Sequence, residues 1–395
     1  EFVAALTWAR IIPDASYIWW ALRPSLGNPP VELRVADSCT RLDDAVAIAA
    51  LFRCLVRALD RERALDAGFD RVGRAITVEN KWHAQRYGVA AIFVDPFSRS
   101  PLTVGEWLEQ VMDLNRLGAL VAKTVSREFR AGNPTPRVSE VEGGMINSIG
   151  LPTKGIGYFL SHQVPDYKRF TPPLVASITS QDPVDFAAMA REVSVPGVDV
   201  IEVNISCPTR NPGGGNFALH EDHTYKVMKG IREATDKPVW AKLSPNAGDV
   251  VAIGKAAEAA GADALVVANT ILGLKIDTHT FRPALGNTHG GLSGPGIKPI
   301  NMRMVYQCAQ TVQIPVIGCG GIVKVEDVVE YMLAGASAVM MGYIIFRNPS
   351  AMEAMIDDLA QWCERRGFAR VADLTGAMID DPPAETFAAA AAPIG

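Results

Sequence analysis

Cysteine, aromatic residues, basic charge and long apolar runs are all scarce in this 395-residue chain, and each scarcity removes a class of protein. The cysteines are Cys39, Cys54, Cys207, Cys308, Cys319 and Cys363. None falls in a CxxC pair or a cysteine/histidine cluster of zinc spacing, which speaks against a structural metal site. A disulfide framework is not expected in so long and apolar a chain, and a reducing cytoplasm is the simplest setting. Lysine and arginine do not exceed the acids: the net charge is -5 and the pI about 5.8, so no basic footprint marks nucleic acid as a partner. No apolar run is long enough to span a bilayer, and the opening "EFVAALTWARIIPDASYIWW" lacks the basic leader and apolar core of an export signal. With 48% hydrophobic and 21% charged residues, the length suits a barrel-sized domain plus a smaller unit.

From Leu174 onward, short β-branched runs alternate with amphipathic stretches. The predicted strands are 174–179, 200–206, 239–244, 265–270, 315–322 and 338–345, with "ALVAK" (119–123) a seventh upstream. Helical patterns such as "DVVAIGKAAEAAGA" and "VEDVVEYMLAGAS" separate them, closed by glycine. Repeated strand–helix alternation predicts a parallel sheet, here an α/β fold of the (β/α)8 TIM-barrel type. The first strand is missing or is replaced by N-terminal material. The only candidate ahead of the helix "TVGEWLEQVMDLNRLGA" is "GVAAIFVD" (88–95), and without it the sheet keeps an open edge.

In a parallel barrel the loops at the carboxyl ends of the strands build the site. Lys123, Asn204 with Cys207, Lys242 and Asn269 each interrupt an apolar run near a strand tip. One such group is an ordinary hydrogen-bonded core residue. Several at equivalent positions on separate strands point to a shared polar ligand, because each costs a few kcal/mol if buried alone, about 1–3 by mutational measures. Cys308, Cys319 and Cys363 read as packing residues. Cys207 differs: it stands before Pro208 and a "PGGG" loop that can close over a substrate, where a thiol can serve as base or nucleophile. Gly320, Gly321 and Gly342 end the last two strands, where such barrels often hold phosphate. With Lys123 and Lys242 in the same mouth, a phosphorylated cofactor is expected.

At this point a family resemblance enters. The stretches "LNRLGALVAKTVS", "GGMINSIGLPTKG", "EVNISCP", "VWAKLSPNAGD", "VANTILGLKID", "GGLSGPGIKPINMRMVYQ" and "IPVIGCGGI" resemble dihydroorotate dehydrogenase of the class-one, NAD-linked branch, over about 114–378. The resemblance implies an FMN-dependent oxidation of dihydroorotate to orotate, with Cys207 as general base toward C5 and hydride passing from C6 to FMN. It implies substrate contacts from Lys123, Asn147, Asn204, Asn269 and Thr270. Lys123, Lys242, Ser293, Gly294, Gly320, Gly321, Gly342 and Tyr343 would hold the flavin. It further implies a homodimer and a separate subunit carrying FAD and an iron–sulfur cluster. Three departures stand out: Thr209 replaces an asparagine after "SCP", Tyr343 replaces a small hydroxyl residue, and the family's opening strand is absent. A related dihydropyrimidine-oxidising flavin barrel and a catalytically inert chimera are the alternative readings.

Residues 1 to about 112 resemble instead the C-terminal part of a carboxylate–amine ligase of the glutamate–cysteine ligase type, through "PDASYIWWALRPS", "VELRVADSCTRLDD" and "ENKWHAQRYG". The larger part of that catalytic fold is missing, so no ligase activity is expected, and Glu32 and Arg34 read as a solvated or self-paired strand face. The expected organisation is a ligase-like fragment over 1–112, a flavin barrel over 113–378 and a disordered tail over 379–395. The switch falls inside a helical pattern, "EQVMDLNRLGAL", which points to a recombined, engineered or misassembled frame rather than a fusion of two whole domains.

Overall fold

A computed structural model describes residues 112–207, 216–348 and 350–379, with short stretches at 22–24, 31–33, 92–94 and 100–103 and the single Ile76. The chain divides into two compact units, 1–111 and 112–395. In the first, Leu22–Pro24 pairs antiparallel with Val31–Leu33, bringing Arg23 opposite Glu32 in register. The stretch "ENKWHAQRYG", Arg34, Cys39 and Cys54 lie outside the described residues, as do 104–111 and 380–395.

The second unit is built on one parallel sheet of seven strands: β1 (Leu120–Val121), β2 (Leu174–Ile178), β3 (Val200–Asn204), β4 (Val239–Lys242), β5 (Ala264–Val267), β6 (Val316–Cys319) and β7 (Ala338–Met340), each hydrogen-bonded to the next. The candidate eighth strand takes a different partner. Ile92–Val94 forms an antiparallel hairpin with Pro101–Thr103, so among the described residues β1 and β7 are sheet edges. The last predicted strand is also shorter than its pattern: β7 stops at Met340 and Tyr343–Phe346 turns into a 3₁₀ helix. Among the described residues no helix is long and apolar enough to cross a membrane.

Six helices follow the strands in alternation: α1 (Pro183–Val193), α2 (Glu221–Arg232), α3 (Val250–Ala259), α4 (Lys298–Ala309), α5 (Val325–Leu333) and α6 (Ala351–Arg366). Their starts and stops have local causes. Asp182 accepts the Val184 N–H ahead of Pro183, Asp249 accepts the N–H groups of Val251 and Ala252, and Gly367 ends α6 in the left-handed conformation. Strand alternation then sorts the two faces of the sheet. Ala176, Ile178, Ile201, Val203, Ala241, Leu265 and Val267 face outward into the main core beside Phe186, Met228, Ile231 and Tyr331 of the helices. Each large side chain so buried contributes about 1.5–3 kcal/mol. A smaller cluster, Ala264, Val266 and Ile317 with Trp240, Cys319 and Met340, packs separately from it.

A second layer was not legible in the strand–helix alternation. Val138–Val141, Gly144–Asn147, Gly290–Ser293 and Ile271–Gly273 form an antiparallel sheet that joins segments far apart in sequence. In its register Asn147 stands opposite Gly291, and Ser293 opposite Met145.

Candidate active site

The tip of β3 supplies the polar groups that the sequence singled out, and β2 and β4 supply their partners. Ser177 pairs in register with Glu202, and Lys242 with Asn204. Glu202 and Asn204 are buried, two residues apart on one strand face. The Glu202 carboxylate accepts the Ser177 hydroxyl at 2.7 Å and the Lys242 ammonium at 3.4 Å. Ser177 Oγ lies 2.9 Å from Thr124 Oγ1, and Asn204 Nδ2 donates to Thr124 Oγ1 at 3.1 Å. Ser206 donates to Asn204 Oδ1 at 3.1 Å, and Asn269 Nδ2 donates to Ser206 Oγ at 2.9 Å. Asn269 Oδ1 in turn accepts the Thr270 N–H at 2.8 Å. Thr124, Ser177 and Glu202 were not expected from the sequence: hydroxyls are common in loops, and the one available signal was Glu202 as an acid inside an apolar strand, within "EVNISCP".

A half-open cavity of about 240 Å³ is lined by Asn147, Lys242, Asn269, Thr270, Ser293, Gly320, Gly321, Gly342 and Tyr343, all expected from the sequence. Met145, Cys319, Met340 and Phe346 line it too and were not expected there. Lys123, Asn204, Cys207 and Gly294 are not among the lining residues. They connect to it indirectly: Asn204 through Ser206 to Asn269, and Gly294 as the neighbour of Ser293. Lys123 feels the charges of Cys207 and Lys242. Cys207 is buried, while Pro208, Thr209, Asn211 and the glycine-rich loop lie outside the described residues. At the near edge of that loop Asn216 donates to Ser244 Oγ at 3.4 Å, and its buried Oδ1 has no partner among the described residues.

The two lysines are held differently. Burial pushes the Lys242 ammonium down, but Glu202 and Cys319 together outweigh that and its pKa lies above the ordinary lysine value. Lys123, an exposed residue, is moved the other way: desolvation lowers it, Cys207 opposes that, and Lys242 adds repulsion. The Cys319 thiol is pushed up by burial, with Lys242 opposing, so it stays a neutral wall group despite lining the cavity.

The glycines differ in what they make room for. Gly320 and Gly321 have φ of 116° and 75°, and a Cβ at Gly320 would come within 2.5 Å of Asn301 Nδ2. A Cβ at Gly294 would lie 2.6 Å from Gly144 Cα and 3.1 Å from Tyr343 Cε2, so Tyr343 stands directly against the Ser293–Gly294 turn. Gly342 is unlike these: its φ is -142° and a Cβ there would meet nothing within 4 Å. The protein itself leaves that space over the backbone, beside the cavity. Such a bare backbone, with Lys242 and the Ser293 hydroxyl on the same cavity, fits an anionic phosphorylated cofactor.

Comparison with known proteins agrees with this geometry. The family model for dihydroorotate dehydrogenase matches residues 102–362. The model for glutamate-cysteine ligase family 2 matches residues 3–132, overlapping the first over 102–132. Among similar proteins, the catalytic subunit of dihydroorotate dehydrogenase B (NAD(+)) from Trichlorobacter lovleyi is 44% identical over 275 residues, which is 69% of this chain and 90% of that protein. The corresponding subunit of Pelobacter propionicus is 43% identical over the same shares, and that of Bacillus cereus 41% identical over 69% of this chain and 88% of its own length. A parallel sheet with helices in alternation, polar strand tips gathered at one mouth and these matches lead to one conclusion: the chain belongs to the dihydroorotate dehydrogenase family.

Proposed function

We propose that the unit starting at residue 112 oxidises dihydroorotate to orotate with FMN held at the strand tips. Lys242, Ser293, Gly294, Gly320, Gly321, Gly342 and Tyr343 would hold the cofactor, with Lys123 between it and the substrate. When bound, FMN supplies the acceptor for the hydride that leaves C6 of the pyrimidine. Cys207 takes the proton from C5, so that both C–H bonds break and the C5–C6 double bond forms with atoms and charge conserved. The amides of Asn147, Asn204 and Asn269 and the hydroxyl of Thr270 offer donors and acceptors to the ring edge and carboxylate. Lys123 sets a cation against that carboxylate. Lys242, kept charged beside Glu202, would steady negative charge on the bound cofactor. Buried polar groups of this kind reject analogues that leave them unpaired.

The observation that carries the reading is the convergence on one cavity of Lys242, Asn269, the Gly320–Gly321 pair and Gly342, from the ends of four successive strands, β4 to β7. In line with the relatives' description as catalytic subunits, the chain would pass electrons to a separate FAD and iron–sulfur polypeptide that reduces NAD, and our reading adds a homodimer in the cytoplasm. The test is direct. The purified protein is expected to be yellow, or to turn yellow with FMN, and to reduce an artificial acceptor with dihydroorotate. Turnover of dihydrouracil in place of dihydroorotate would favour the related dihydropyrimidine oxidation. The open β1 and β7 edges are what favours the inert alternative, and a protein that stays colourless after FMN is added would establish it.

A further inference from the structure

The hydrogen bonds behind the cavity have a single direction. A serine or threonine hydroxyl has one proton to donate, a carboxylate has none, and an amide has a donating and an accepting end. Ser177 spends its proton on Glu202. Thr124 must therefore donate to Ser177, which leaves Thr124 Oγ1 to accept from Asn204 Nδ2. That turns Asn204 Oδ1 toward Ser206, whose oxygen accepts from Asn269 Nδ2. Lys242 donates to the same carboxylate from the other side. Every proton in the chain points toward Glu202.

Resting on the function proposed above, we infer that Glu202 is a positioning residue that fixes the cofactor-side lysine and the orientation of both substrate amides at once. Through Lys242 it sets where the ammonium stands beside Met340, whose sulfur lies 3.6 Å from Nζ. Through Ser177 and Thr124 it decides which end of the Asn204 amide faces the substrate, and through Ser206 which end of Asn269 does. A buried carboxylate is a poor device for stability alone, since an apolar filling of the same volume usually does as well. With Trp240 in register with Glu202 on the next strand, such a filling would have been at hand. Its use here is to supply an acceptor that cannot reverse.

Glu202→Gln and Ser177→Ala separate the two arms. With no flavin or substrate present, labelling of Lys242 by a small amine reagent, read by mass spectrometry, is expected to speed up at least about tenfold in Glu202→Gln, the effect of a one-unit fall in the ammonium's pKa. The midpoint potential of bound FMN should shift in the same variant. Ser177→Ala should leave both unchanged and raise the dissociation constant for orotate by about two- to tenfold, the effect of one misdirected hydrogen bond. A folded Glu202→Gln protein with the parent's labelling rate and potential would overturn the inference, as would Ser177→Ala accelerating Lys242 labelling equally. Should Glu202→Gln not fold, Ser177→Ala decides alone: weaker orotate binding with unchanged Lys242 labelling supports the inference, and any other pattern ends it. A parent that binds FMN without oxidising dihydroorotate refutes the proposed function, whereas the labelling rate still judges Glu202.

Discussion

Replacing Gly342 and Gly320 by alanine should produce opposite kinds of damage. At Gly320 the new methyl meets a φ of 116° and an Asn301 Nδ2 at 2.5 Å. The backbone strain costs about 1–3 kcal/mol. Displacing Asn301 also loosens its 2.7 Å bond to the Cys319 carbonyl, about 0.5–1.5 kcal/mol more. The sum, about 1.5–4.5 kcal/mol, corresponds to a fall in melting temperature of about 3–18 °C for a unit of this size. At Gly342 nothing in the protein lies within 4 Å of the added Cβ, so apoprotein stability should change by no more than about 0.5 kcal/mol. The same methyl would enter the space proposed for the cofactor, and crowding there would cost about 1–3 kcal/mol, or about 5- to 150-fold in FMN affinity. Thermal melts of the apoproteins and flavin-fluorescence titrations measure both quantities. If Gly342→Ala melts early, or binds FMN as the parent does, the bare backbone at that strand tip is not a cofactor cradle.

Three further outcomes follow from named contacts. Cys207→Ala should lower dihydroorotate turnover by about 10²–10⁴-fold while leaving the flavin colour, and near-normal turnover would remove Cys207 as the base. The Cys308 thiol, packed 4.0 Å from the Val250 carbonyl oxygen, is pushed by burial to about 12 from an ordinary 9.0. The folded state then holds a proton that the unfolded state has lost, so this thiol makes stability fall with rising pH between those values, by about 1.4 kcal/mol per unit; Cys308→Ser should flatten that part of the denaturation profile, and an unchanged slope would count against it. Tyr331→Phe deletes a 2.8 Å hydrogen bond to the Gly320 carbonyl and should cost about 1 kcal/mol in denaturant unfolding, with weaker FMN binding as the turn loosens; a variant that loses stability but binds FMN normally would uncouple Tyr331 from the site.

Periodicity and composition determined the repeating strand–helix order, because a fully buried parallel strand such as Leu174–Ile178 must be apolar throughout and helix stops need glycine. They also determined which residues break those apolar runs: Lys242 and Asn269, both on the cavity wall, stand out in the sequence as polar interruptions. Partner choice was beyond them. Only the tertiary structure decided that Ile92–Val94 pairs with Pro101–Thr103, because a short apolar run carries no signal for its partner. Only it joined Gly144–Asn147 to Gly290–Ser293, a contact between segments too distant for any local signal, and so brought Asn147 and Ser293 to the mouth. The role of Glu202 likewise needed the fold: an acid within a strand is just a burial cost until Ser177 and Lys242 arrive from the strands on either side to use it.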